Sequence, residues 1–204
     1  MRQKTILTAF IVLSVLCVKT AKTQSIPQAI GDSIAKDRTL KLQTNMKVLA
    51  AWAGVNIIQG NISATNAIGS DKHFFRTNAY WNIINLGIAG YGLWYAGQSA
   101  KKNYAGPENM LEQQKIEKIL LKHAALNTVL VGTGLIMKER GARLNKEKST
   151  GIGNSLLVQG SFSVIFDLIQ YLNHRKNGQI LRKEQGNWQL TSSLNGIGLS
   201  YTIK

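Results

Sequence analysis

Long uncharged stretches alternate with short clusters of charge along this chain. Four stretches have the length of a membrane-crossing helix: Met46 to Ile68, Thr77 to Gln98, Ile119 to Met137 and Ile152 to Leu172. About 20 apolar residues are needed to cross a bilayer core as a helix. The connections favour antiparallel neighbours. Gly69-Ser70-Asp71 leaves room only for a tight turn, Gly106-Pro107 breaks the chain after the second stretch, and Gly141 and Gly151 bracket the third connection. Glu108 to Lys118 is polar with helical propensity and leads into the third helix. The pattern predicts an all-α fold, an antiparallel four-helix transmembrane bundle over residues 46–174.

The ends read differently. Residues 1–23 have the parts of a secretory signal: Arg2 and Lys4, an apolar run from Thr5 to Val18, and a weak cleavage site at Ala21-Lys22-Thr23. An uncleaved anchor helix is the other reading. Residues 24–45 place Ile26, Ile30 and Ile34 on one helical face, which suggests a short interfacial helix. Thr39 is then a candidate cap for the first span. In the basic tail, residues 175–204, the period changes from helical to alternating. Trp188, Leu190 and Leu194 precede Asn195-Gly196, and Ile197, Leu199, Tyr201 and Ile203 follow it. Asn-Gly between alternating runs predicts a short C-terminal β-hairpin. Such a hairpin could engage another envelope protein.

Within the stretches the polar residues fall on seams. Asn78, Asn82, Asn85, Ala89, Gly92 and Ala96 recur at spacings of four and three, which is one narrow helix face. Ala53, Asn56, Gly60, Ser63 and Ala67 do the same on the first stretch. Small residues let helix backbones approach, and amides hydrogen-bond between helices. An amide facing lipid unpaired would cost several kcal/mol. The seams should therefore face each other or a wet interior. Asp167 is the one acid well inside a predicted span, and His123 lies near the same membrane boundary on the antiparallel third helix. The two form a candidate intramembrane ionisable pair, able to relay protons or bind a ligand.

Composition sharpens the location. The net charge is +15. It gathers at Lys101-Lys102, Lys115 to Lys122, Lys138 to Lys148 and His174 to Lys183, as basic loops between spans do. Tyr80, Trp81, Trp94 and Tyr95 bracket the second stretch, where aromatic side chains meet a membrane surface. The mean hydropathy of −0.07 is low for a membrane protein and keeps a soluble periplasmic bundle as an alternative. No helix-turn-helix, zinc-finger or aromatic-plus-basic strand signature points to nucleic acid.

Reaction chemistry is not visible. Cys17 lies in the leader, so no disulfide or thiolate–metal site is expected in the exported chain. His73, His123 and His174 lack metal-ligand spacing, and no G-x-S-x-G occurs. We expect no enzyme, no cofactor and no metal.

The run from Asn78 to Gly90, with Met46 to Gly54 before it, resembles a family of uncharacterised small membrane proteins of Bacteroidota. The likeness covers about residues 40–175. It implies a four-helix membrane domain of unknown function and no activity. The expectation is thus an integral protein of the bacterial inner membrane with a structural or interaction role. The alternatives are a small transporter or channel lined by asparagine, and a periplasmic ligand-binding bundle.

Overall fold

A computed structural model describes residues 26–184, 188–193 and 196–201. The expected signal segment, residues 1–23, lies outside the described residues. Four long helices follow: α1 (Gln28–Asn66), α2 (Gly69–Ser99), α3 (Gly106–Arg143) and α4 (Glu147–Glu184). Local chemistry sets their ends. Pro27 precedes α1, and Pro107 sits in the first turn of α3, where its missing N–H costs nothing. Gly69 opens α2 at φ +59, a left-handed conformation that glycine adopts without strain. Arg140 and Arg143 end α3 and Arg182 and Lys183 end α4, which suits the negative pole of each helix.

The helices run up, down, up, down. α1 packs along α2, α3 packs along α4, and α2 and α4 join the two hairpins. No backbone contact joins α2 to α3 among the described residues. Glycines permit the closest approaches. A Cβ on Gly60 would stand 2.8 Å from the Phe75 carbonyl oxygen, and one on Gly134 would stand 2.9 Å from that of Gly153.

Several expectations change here. The fold is all-α, and the C-terminal hairpin is removed from it as a correction. Strands β1 (Trp188–Ser193) and β2 (Gly196–Tyr201) pair only with each other among the described residues, Trp188 opposite Tyr201. A two-stranded ribbon with no backbone contact to the helices among the described residues forms no part of the bundle. The helices also overrun the expected spans by many residues. Residues 28–45 form no separate interfacial helix but continue straight into α1, with Ile26 and Ile34 buried against Met110 and Leu181. Thr39 caps nothing; it is mid-helix and its hydroxyl donates to the Ala35 carbonyl at 3.0 Å. Of the four expected spans, only α3 and α4 belong to helices long and apolar enough to cross a membrane. The amides of α1 and α2 lower their hydropathy.

The molecule therefore has two parts. One holds the apolar stretches. The other projects beyond them and is built from residues 26–45, 104–118 and 173–184.

Candidate functional site

The polar seams meet. Asn78 of α2 donates to Asn56 Oδ1 of α1 at 2.7 Å. Gln159 of α4 donates its amide N–H to Asn78 Oδ1. Trp52 Nε1 closes the ring by donating to Gln159 Oε1 at 3.2 Å, and its indole stacks on Phe162 at 3.9 Å between centroids. Asn56 donates back to the Trp52 carbonyl at 2.7 Å. One amide cluster thus ties three helices together. Asn82 extends it along α2 by donating to the Asn78 carbonyl at 2.8 Å, and Asn85 donates to Asn82 Oδ1 at 3.2 Å. Asn82 and Gln159 are fully buried.

The rest of the expected seam is spacing rather than bonding. Gly60 is buried against Phe75 and Ala79, and half-buried Gly92 accommodates the Met46 side chain. Ser63 is half-buried and lies past the cluster toward the α1–α2 turn.

The expected ionisable pair does not form. Asp167 is buried, but Asn127 of α3 donates to its Oδ2 at 3.0 Å. His123 is exposed and makes no ion pair with it. Asn127, one turn further along α3, supplies the donor instead, and His123 lies at the exposed rim. Both residues nevertheless line one cleft. It has a volume of about 240 Å³ and lies between α2 and α3, where the backbones do not meet. Trp81, Ile84 and Ile88 form one wall and Leu120 and Leu126 the other, with Asp167 and Gln170 on the floor.

The chain belongs to DUF6992, a family of unknown function. The family model matches residues 48–168, more than half of the chain, and takes in the whole amide cluster and Asp167. The chain matches no curated protein and no solved structure. Membership of DUF6992 accordingly assigns no activity to any of these residues.

Sequence reasoning missed Gln159, Trp52 and Asn127 as members of the site. The signal for Gln159 was present, since Gly151, Ser155 and Gln159 recur every four residues on α4 and all three are buried. A second polar cluster in the projecting part was also missed. Arg38 is buried, donates to the Asn109 side chain and carbonyl, and stacks over the Tyr104 ring at 4.8 Å. Gln113 donates to the His174 carbonyl at 2.6 Å. Lys41 pairs with Asp37 at 2.6 Å, and Asn177 donates to the same carboxylate at 2.7 Å. His174 lies beyond the fourth apolar stretch and is fully buried. Burial, with the nearby charges of Lys41 and Arg38, pushes its imidazole down to about 4, while Asp37 pulls the other way.

Proposed function

We propose that this protein is an integral membrane protein of the bacterial cell envelope with a structural or interaction role. The observation that carries this reading is an inverted distribution of side chains. Asn56, Asn78, Asn82, Asn85, Gln159 and Asp167 are buried, while Val55, Ile58, Ile62, Ile83, Leu126, Val129, Ile136 and Ile165 are exposed. A water-soluble bundle of this size would place these two groups the other way round. In lipid the arrangement costs little, because apolar side chains meet acyl chains and amides pair inside. Two helices of spanning length and hydropathy support it further.

The amide cluster favours packing over conduction. Asn56, Asn78, Gln159 and Trp52 satisfy one another, so they close the bundle interior rather than line a path. We place the protein in the inner membrane of a member of the Bacteroidota, exported through residues 1–23, with no enzymatic activity and no nucleic-acid partner. Carbonate extraction of membranes from cells expressing the full chain tests this. Retention in the pellet is the expected result. Release into the supernatant would overturn the reading in favour of a soluble bundle.

A further inference from the structure

We infer that the groove between α2 and α3 binds a single-chain amphiphile carrying a primary ammonium head. The inference builds on the membrane reading, because the groove opens sideways into what would be lipid.

Four observations carry it. First, the groove is a gap in the fold. α2 and α3 do not pack on each other, and Tyr95 reaches across to Glu112 at 3.1 Å only near one end. Second, its walls are apolar. Ile84, Ile88 and Leu126 are each about half exposed or more and face no neighbour that would cover them. Third, its floor carries a carboxyl group with no ion-pair partner among the described residues. Asp167 Oδ2 accepts from Asn127, but among the described residues no donor reaches Oδ1 and no Lys or Arg stands within ion-pair distance. Fourth, neutral acceptors flank it. Asn85 donates its N–H to Asn82, which leaves its carbonyl oxygen unclaimed, and buried Gln170 bonds to no described residue.

A primary ammonium matches this floor. It brings one positive charge and three N–H donors. Asp167 Oδ1, Asn85 and Gln170 supply three acceptors on the same cleft. A charge-assisted bond to the carboxylate is roughly twice as strong as a neutral one. The volume decides between a bare ion and an amphiphile. About 240 Å³ with apolar walls far exceeds a desolvated cation and suits a short ligand with an apolar body. Past Gln170 the groove continues as a second apolar space of about 280 Å³ beside Tyr91, Ile116 and Ile119. His174 lines that continuation, fully buried, with neither ring nitrogen bonded to a described residue. The other charged groups facing the groove are His123 on the rim and the Lys115–Glu112 pair at the closed end.

The test uses the full chain in non-ionic detergent and dodecylamine bearing a doxyl quencher on its chain. Trp81 lines the cleft and reports occupancy by fluorescence. Saturable quenching that disappears in Trp81→Phe is expected. The same chain with a trimethylammonium, carboxylate or hydroxyl head should bind at least tenfold more weakly. Asp167→Asn should abolish the preference for the amine at unchanged helix content and elution volume. Ile88→Phe, which narrows the groove and leaves Asp167 in place, should weaken all quenching and serves if Asp167→Asn does not fold. Equal affinity for the four heads, or an amine preference that survives Asp167→Asn, would overturn the inference. Equal competition by a two-chain ethanolamine lipid would overturn the single-chain specificity. Release on carbonate extraction would strike the membrane reading alone, because the head-group preference is measured independently of it.

Discussion

The two parts of this molecule bury polar groups of different kinds, chiefly neutral amides in one and charged side chains as well as amides in the other. Where the helices carry the apolar stretches, the amide cluster is buried beside a small apolar cluster of Met46, Leu49 and Ala89, and the exterior is rich in isoleucine, leucine and valine. Where they project beyond, Ile26, Ile34, Met110 and Leu181 form an apolar nucleus, with buried Arg38, Asn109, Gln113 and His174 beside it and the Lys41–Asp37 and Arg182–Glu117 ion pairs around it. Helices α1, α3 and α4 are continuous through both parts, so the backbone does not cause the change. On the proposed membrane reading, the surroundings do. Apolar burial stabilises only against water. In lipid that gain vanishes, and close backbone contact and internal hydrogen bonds must hold the helices together. Three of the four helices, α1, α3 and α4, thus pass through both parts.

The largest expected effect is in the amide core. Asn78→Leu removes the group that both Asn56 and Gln159 use and leaves Asn56 Oδ1 and Gln159 Nε2 without a partner. At about 1–3 kcal/mol for each unsatisfied group, the loss should approach 4 kcal/mol. It would be read as a lower midpoint of thermal unfolding in detergent. Combining it with Asn56→Leu and Gln159→Met removes the orphaned partners, and should recover part of the loss. No recovery would mean that the cluster does something other than pair with itself.

Next comes His174 in the projecting core. Its imidazole is held down to about 4 in the folded chain, against 6.5 in its absence. The folded state therefore binds the proton later than the unfolded one as pH falls. The stability from this residue is fully present above pH 6.5 and is lost progressively toward pH 4. The total is roughly 3 kcal/mol. His174→Phe should flatten the pH dependence of the melting temperature in this window. An unchanged slope would show that the residue is not buried neutral.

The smallest effect is at the surface of the projecting part. Lys41→Met breaks an ion pair with Asp37, whose side chain is 48% exposed. Exposed pairs of this kind contribute less than about 1 kcal/mol and weaken with salt. Raising NaCl should erase the difference between Lys41→Met and wild type, while the Asn78→Leu deficit stays. If salt moved both equally, the contrast between the two parts would fail.

The sequence made some of this legible and concealed the rest. The glycine and proline breaks and the four stretches give the helix count and the up-down order. The spacing of Asn78, Asn82 and Asn85 gives the buried face of α2, because a seam of amides has one economical place to go. Helix length was legible only in part: Glu108 to Lys118 reads as helical ahead of the third stretch, but hydropathy does not show that α1 begins at Gln28 or that α4 runs on to Glu184. Residues 106–118 and 173–184 are polar yet stay helical by packing on residues 26–45. The Asp167 partner was misread for a related reason. Position along the helices suggested His123, but Asn127, one turn further along α3, supplies the donor. The cleft itself has no sequence signal, since it arises from the missing contact between α2 and α3.

The hairpin pairing also fixes an order of events during synthesis. Asn56 and Asn78 belong to α1 and α2, which close through a single glycine-containing turn. Their bond can form while the ribosome has yet to reach residue 159. Gln159 then arrives on the second hairpin and finds a free acceptor waiting on Asn78. A half-made chain thus presents one open amide oxygen on α2, which only the later hairpin can cover. Nascent chains halted before α4 should be the form most prone to wrong partners and most in need of protection.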